Sequence, residues 1–467
     1  MKIVKKFLYT AIFTLFVSIL YGCPKVGPEY VRPELNFEVN GAYQNDLSEA
    51  VEELNDDKWW EEFNDPYLNE MVEKVLKNNP DIKKAVASVL ELESVFVQTK
   101  AESFPEVNLN ANRSRSQNSV ATVLTTTDEI SLTLPVSYEL DLWGRIARSK
   151  EAAIYNLLQS KESLMTVAQT IVAETVSLYL QLESLERRIQ IKKQTIKNYE
   201  HSLLIITEKY ERGLSSILDV SQTKRILSQT KSELPELKQE LGIAQQNLSV
   251  LLGQYPKTSP PRDQPEDYYN RLKKIPGGLR SDLLKRRPDI RAQEANLIKL
   301  NAEVGIARAN RFPTISLTSN LGYSSDELGE LFTGDSFFWS LASGILQPIF
   351  RGNALKAAQK AAEARFKQGV VEYYKTVLTA FSEVEQALLK REKQLEKRKL
   401  FIDYLNEARI TQKIAESRYK KGLVDYQEVL DAMRTRFTAE ENLVVVDLSI
   451  FTNRVNLHKS LGGGWGI

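Results

Sequence analysis

The spacing of apolar residues along the chain changes period, and each period predicts a different element. Residues 80–104 carry helical spacing opened by Pro80, placed at the first turn where its missing N–H costs nothing. After Phe104-Pro105 the pattern becomes strict alternation, with Val107, Leu109 and Ala111 apolar and Asn108, Asn110 and Asn112 polar. A second run is cleaner: Ile130, Leu132, Leu134, Val136, Tyr138, Leu140 and Leu142 all fall at even positions. This predicts two strands joined by a polar loop, Arg113 to Glu129. From Arg145 to Gly213 there is no proline, and Ile171, Leu178 and Leu185 recur every seven residues, as do Leu182, Ile189, Ile196 and Leu203. A helix of about 67 residues at about 1.5 Å each would be roughly 100 Å long and must pack as a coiled coil. A return helix, Ser216 to Leu252, follows, too short to cover it alone.

The same sequence of periods then repeats. Leu76 to Ile82, with Pro80-Asp81-Ile82, matches Leu284 to Ile290 at an offset of 208, and Phe104-Pro105 matches Phe312-Pro313 at the same offset. Leu142-Trp143 matches Ile349-Phe350 at 207, the turn at Tyr210 and Gly213 matches Tyr419 and Gly422 at 209, and Leu252-Gly253 matches Leu461-Gly462 at 209. Alternation returns at Ile315, Leu317, Leu321 and Tyr323 and at Phe337, Trp339, Leu341 and Ile345, flanking a polar loop, Ser324 to Ser336. A proline-free stretch runs from Asn353 to Gly422, with Leu388, Leu395 and Ile402 in heptad spacing, and a return helix from Val424 to Leu461. The chain therefore reads as an internal duplication: an arm over 23–66, a first repeat over 67–253, a proline-rich linker over 254–278 and a second repeat over 279–467.

The amino terminus adds a location. Lys2, Lys5 and Lys6 precede an apolar run from Phe7 to Leu20, about 14 residues and short of the roughly 20 that span a bilayer, so residues 1–22 read as a signal peptide. Leu20-Tyr21-Gly22-Cys23 resembles a bacterial lipobox, with Tyr where a smaller residue is usual. Cys23 is the one cysteine of the chain and the expected site of lipid attachment, and disulfides are excluded. Pro24, rather than Asp, follows it, which in bacterial lipoproteins favours the outer membrane. Net charge is +1, and without the three leader lysines 59 basic residues face 61 acidic ones, which does not suggest a nucleic-acid partner.

Four strands cannot close a barrel, because their edges stay unpaired. If the apolar alternate face meets lipid, other copies of the chain must complete the wall, and Asn108, Asn110, Asn112, Ser131, Thr133, Ser137, Ser316, Thr318 and Asn320 line water. The turns at Gly213 and Gly422 then lie at the far tip of the helical rods. Asp219 and Glu428 each follow their glycine by six residues, and Asp431 lies three beyond Glu428 on nearly the same helical face. Several copies would crowd these carboxylates into one constriction, a setting that favours cation binding.

With these features in hand, the chain resembles the TolC-like outer-membrane efflux proteins over about residues 24–465, in particular the lipoprotein branch that serves resistance-nodulation-division pumps. The resemblance rests on the lipobox, the paired Pro-Asp-Ile and Phe-Pro motifs, Asp141-Leu142-Trp143-Gly144-Arg145, the paired Gly-Leu turns and Leu461-Gly462-Gly463-Gly464-Trp465. It implies a mainly α fold with a β-barrel part: a homotrimer whose twelve strands form one transmembrane barrel, continued by a coiled-coil α-barrel across the periplasm. It also implies partners, a periplasmic adaptor protein and an inner-membrane transporter of the resistance-nodulation-division class. By the same resemblance Asp219, Glu428 and Asp431 match gate positions, and Tyr210 and Tyr419 match the tyrosine before the turn. Where some members carry an arginine two residues after the second glycine, this chain has Val424, so an arginine lock is not expected there.

An enzyme is not expected. His201 and His458 stand alone in opposite repeats, no metal-binding or phosphate-cradling motif occurs, and no cofactor is implied. A type I protein-secretion channel and a lipid-anchored coiled-coil scaffold without a pore are the alternative readings. The lipobox and Gly-Gly-Gly-Trp end weigh against the first, and the period-two strands against the second. The cargo is not legible.

Overall fold

The computed structural model describes residues 25–34, 56–120, 123–260 and 283–463. The signal segment, Cys23 and Trp465 lie outside the described residues. In chain order the described elements are a 3-10 helix Asp56–Phe63, α1 (Pro66–Asn78), α2 (Pro80–Ala101), β1 (Glu106–Val107), β2 (Asn110–Val120), β3 (Val123–Leu140), α3 (Arg145–Glu211) and α4 (Ile217–Leu251). After a helical turn at Leu283–Arg286 come α5 (Pro288–Ala309), β4 (Thr314–Ser325), β5 (Phe337–Leu346), α6 (Ala354–Lys420) and α7 (Tyr426–Ser460). Both long helices have 67 residues and both return helices 35.

The chain divides into two compact units. One takes residues up to 34, 87–161 and 292–375, and the other takes 35–86, 162–291 and 376–467. The first contains the sheet. β1 and β2 both pair antiparallel with β3 in one continuous register, Val107 opposite Val136 and Asn110 opposite Thr133. The break between them faces Pro135, which accepts from the Asn108 N–H at 3.0 Å but has no hydrogen to donate in return. β3 then pairs with β4, and β4 with β5. The central contact thus joins a strand of the first repeat to one of the second, and the edges are β1 with β2 on one side and β5 on the other.

One expectation is corrected. The polar loop from Arg113 to Glu129 is largely strand, with β2 running to Val120 and β3 starting at Val123. Alternation reports a sheet with one dry face. Here both faces are polar, and the hairpin is carried by its backbone ladder and by pairs such as Arg115 opposite Asp128, 3.7 Å apart. The second loop keeps only short 3-10 turns, Leu328–Glu330 and Gly334–Ser336.

The helical unit holds the core. Trp59, Trp60 and Phe63, from a stretch that reads as the end of an extended arm, form a 3-10 turn and bury against Leu68 and Val72 of α1, Val172, Val176 and Leu180 of α3, Leu237 and Leu241 of α4, and Phe451 and Val455 of α7. The duplication repeats a specific junction. Asn79 accepts from the N–H groups of Asp81 and Ile82 at the start of α2 and donates to Leu251 O at 3.0 Å. At the corresponding position Arg287 pairs with Asp289 through both carboxylate oxygens and donates to Ser460 O at 3.1 Å. Each repeat thereby ties the start of the helix that precedes its strands to the end of its last helix.

Candidate functional site

Two regions carry the chemistry: the sheet wall and the paired helical turns. Directly opposed residues share a face, so the register sorts the sheet completely. Val107, Ala111, Leu132, Leu134, Val136, Tyr138 and Leu140 lie on one face with Ile315, Leu317, Leu321, Tyr323, Phe337, Trp339, Leu341 and Ile345. Asn110, Asn112, Ser131, Thr133, Ser137, Glu139, Ser316, Thr318, Asn320, Ser340 and Gly344 lie on the other. The apolar face is uncovered in the single chain: Trp339 and Leu341 are each 70% exposed and Ile345 72%.

At the foot of β3 the Asp141-Leu142-Trp143-Gly144-Arg145 stretch is a strand-to-helix joint. Asp141 accepts from the Ala147 N–H at 2.7 Å, capping α3, and Arg145 forms two bonds to Glu139 at 3.0 and 2.9 Å. Trp143 stacks on Phe312 at 4.9 Å and donates to Pro313 O at 2.8 Å. Gly144 takes φ +75 and packs against the Lys25 backbone, while Val26 N–H donates to Trp143 O at 3.0 Å. The arm continues through Gly27, where a Cβ would come within 2.7 Å of Gly305 Cα, to Glu29, paired with the fully buried Arg148 at 3.0 Å.

In the helical unit the doubled turns have matched geometry. Gly213 (φ +72) and Gly422 (φ +68) are left-handed and donate to Tyr210 O and Tyr419 O, both at 2.9 Å. Leu214 and Leu423 donate to Lys209 O and Arg418 O at 2.8 and 3.0 Å, so both turns are Schellman motifs. Their restarts differ. Asp219 closes a capping box on α4, accepting from Ser216 N–H at 3.1 Å and Ser215 Oγ at 2.8 Å. Glu428, three residues after Asp425 at the start of α7, is exposed, and no side-chain cap forms there. Asp431 accepts from Gln427 at 3.1 Å and pairs with Arg434 at 3.2 Å. Tyr210 is exposed, whereas Tyr419 packs at 5.0 Å on Tyr426 beneath the Lys209 ammonium, 4.3 Å from its ring.

Three side chains that the sequence did not single out stand along these helices. Burial raises the Tyr426 phenol above its ordinary range. Lys209 and Tyr426 line a groove of about 470 Å³ with His201, Glu416, Tyr419 and Arg436. Lys192 of α3 is buried between Glu233 of α4 at 2.7 Å and Glu441 of α7 at 2.5 Å. Burial opposes its charge, but the two carboxylates outweigh it and raise its pKa. Lys192 interrupts an otherwise apolar heptad face only by position, so only its partners reveal it.

The outer membrane efflux protein family model matches residues 71–254 and 279–463. The probable outer membrane lipoprotein SilC of Salmonella typhimurium is 32% identical, covering 97% of this chain and 98% of its own. The toluene efflux pump outer membrane protein TtgC of Pseudomonas putida is 33% identical over 96% and 94%. The cation efflux system protein CusC of Escherichia coli (strain K12) is 32% identical over 95% and 97%. A solved CusC structure superposes with a TM-score of 0.86 at 31% identity, covering 94% of this chain and 100% of that one. The chain belongs to the outer membrane efflux protein family and is an exit duct located in the outer membrane.

Proposed function

We propose that the protein is the passive, non-catalytic outer-membrane duct of a tripartite efflux system, assembled as a homotrimer and anchored by an acyl group on Cys23. The observation that carries this reading is the sheet: five paired strands with one continuous apolar face and two open edges, β1 with β2 on one side and β5 on the other. Such a sheet needs lipid on that face and further copies at its edges. Val371, Leu378, Leu389 and Leu400 along α6 are also exposed and await partners in the assembly. In detergent extract the mass should be three times that of one chain, and planar bilayers should show ion conductance. A monomer that leaves bilayers silent overturns the reading.

The paired turns are proposed as the periplasmic gate, with Gly213 and Gly422 shaping the tip, Tyr210 and Tyr419 before them, and Asp219, Glu428 and Asp431 supplying its charge. Because Asp219 is engaged in its cap and Asp431 with Arg434, Glu428 is the carboxylate most available to a cation. Divalent cations should block conductance less in Glu428→Gln than in the parent, with Asp219→Asn adding little. Equal blockade in all three would remove the carboxylates from the gate. The groove beside Tyr419 is the proposed seat of a periplasmic adaptor, which links the duct to an inner-membrane transporter of the resistance-nodulation-division class. Relatives named for toluene and for cations are equally similar to this chain. Cargo choice is therefore assigned to the transporter, small toxic solutes being the common denominator.

A further inference from the structure

Past one row the apolar face of the sheet retains Ile130 but takes on charge. Leu132 of β3 opposes both Ala111 of β2 and Tyr323 of β4, and Tyr323 opposes Phe337 of β5. Tyr323 meets Phe332 and Phe337 edge-on at 5.5 and 5.6 Å. Aromatic rings grouped at the end of an apolar band mark the boundary between hydrocarbon and headgroups. The hairpin does not end there. On the same face the next row sets Arg113 opposite Ile130, and the row after it sets Arg115 opposite Asp128.

Alternation along β2 puts Ala111, Arg113 and Arg115 on one side, and a rise of about 3.4 Å per residue places the two arginines roughly 7 and 14 Å beyond Ala111. Both are exposed. Asp128 takes one side of Arg115 at 3.7 Å, and Arg113 has no ion pair among the described residues. Guanidinium groups on the lipid side of a barrel are costly in hydrocarbon but not at its edge. At headgroup depth their planar donor forks fit a phosphate, which they hold through paired hydrogen bonds.

We propose that Arg113 and Arg115 form a binding site for the phosphate of an anionic lipid headgroup in the leaflet on the hairpin side. The proposal rests on the reading above that the apolar face meets lipid. The occupant is a membrane lipid rather than a dissolved ion because the site continues the apolar face without a break, so a headgroup held there leaves its acyl chains on Leu132, Leu134 and Trp339.

Native mass spectrometry of the detergent-solubilised full assembly, titrated with phosphatidic acid, diacylglycerol or inorganic phosphate, tests this. The parent should bind phosphatidic acid about tenfold or more tightly than Arg113→Gln/Arg115→Gln, as expected when charge-assisted hydrogen bonds are lost. Arg113→Lys/Arg115→Lys should fall between them, and diacylglycerol should not distinguish the three. Equal phosphatidic acid binding by the parent and the glutamine variant overturns the site. Complete displacement by millimolar inorganic phosphate overturns the lipid as its occupant. Quenching by brominated acyl chains in vesicles, read as the difference between the parent and Trp339→Phe, separates the two layers. Quenching without a variant effect defeats the phosphate site alone, while no quenching defeats the membrane reading beneath it. Should the double variant not assemble, Arg113→Gln carries the same comparison.

Discussion

Glu62 shows how much a single side chain depends on neighbours far away in the sequence. Burial disfavours its ionised form, but His458, with Nε2 at 3.4 Å, and Arg454 hold its carboxyl down at about 2. Trp59 stacks on the His458 ring at 5.2 Å, so the turn that carries Glu62 is fastened to α7 by charge and by ring contact. A folded-state pKa below the ordinary value of 4.5 means that the stabilisation is complete above that pH and is lost as the pH falls towards 2. Glu62→Gln should therefore melt well below the parent at pH 7, and the gap should close between pH 4.5 and 2 in thermal scans followed by circular dichroism. Neither the shift nor its partners is legible locally, since 392 residues separate Glu62 from Arg454.

Among the elements, the helical turns were the most legible. A glycine after a long heptad run predicts a left-handed stop, and Gly213 and Gly422 adopt it with positive φ. A Cβ built at either meets nothing within 4 Å, so the cost of alanine there is backbone strain alone. Gly213→Ala and Gly422→Ala should each lose about 1 kcal/mol, measurable as a small drop in melting temperature with assembly intact. Gly27→Ala meets Gly305 Cα at 2.7 Å and should instead release the arm, read as new protease sensitivity before residue 34. The hairpin from Arg113 to Glu129 was the least legible element, because the period-two signal disappears once water bathes both faces of a sheet. Asp219 was found in the sequence as a carboxylate at the turn, but its engagement with Ser215 and Ser216 is a matter of geometry.

For the whole molecule, the exposed sheet face decides whether the chain is finished by itself. Trp339 lies on edge strand β5 in the same row as Leu321 and Leu134. A charge in that row would face hydrocarbon, at a cost of up to about 2–4 kcal/mol for a basic residue at mid-depth. Trp339→Lys should lower the yield of membrane-inserted, conducting assembly while the helical circular dichroism signal persists. Ser340→Lys, one residue along on the polar face, should leave insertion intact. Insertion of both variants to the same extent would contradict the assignment of faces.

Periodicity, the doubled anchors and the glycine stops were set by the sequence alone, because helix, strand and turn each respond to spacing within a few residues. The family followed from those features taken in order. The pairing of β3 with β4 across the two repeats, the extension of the first hairpin, the spent cap at Asp219 and the partners of Lys192 and Glu62 were decided only by tertiary structure. Each of these depends on which distant backbone or charge arrives opposite a residue, and hydrophobic spacing along a chain records how much of a face is buried but not what buries it.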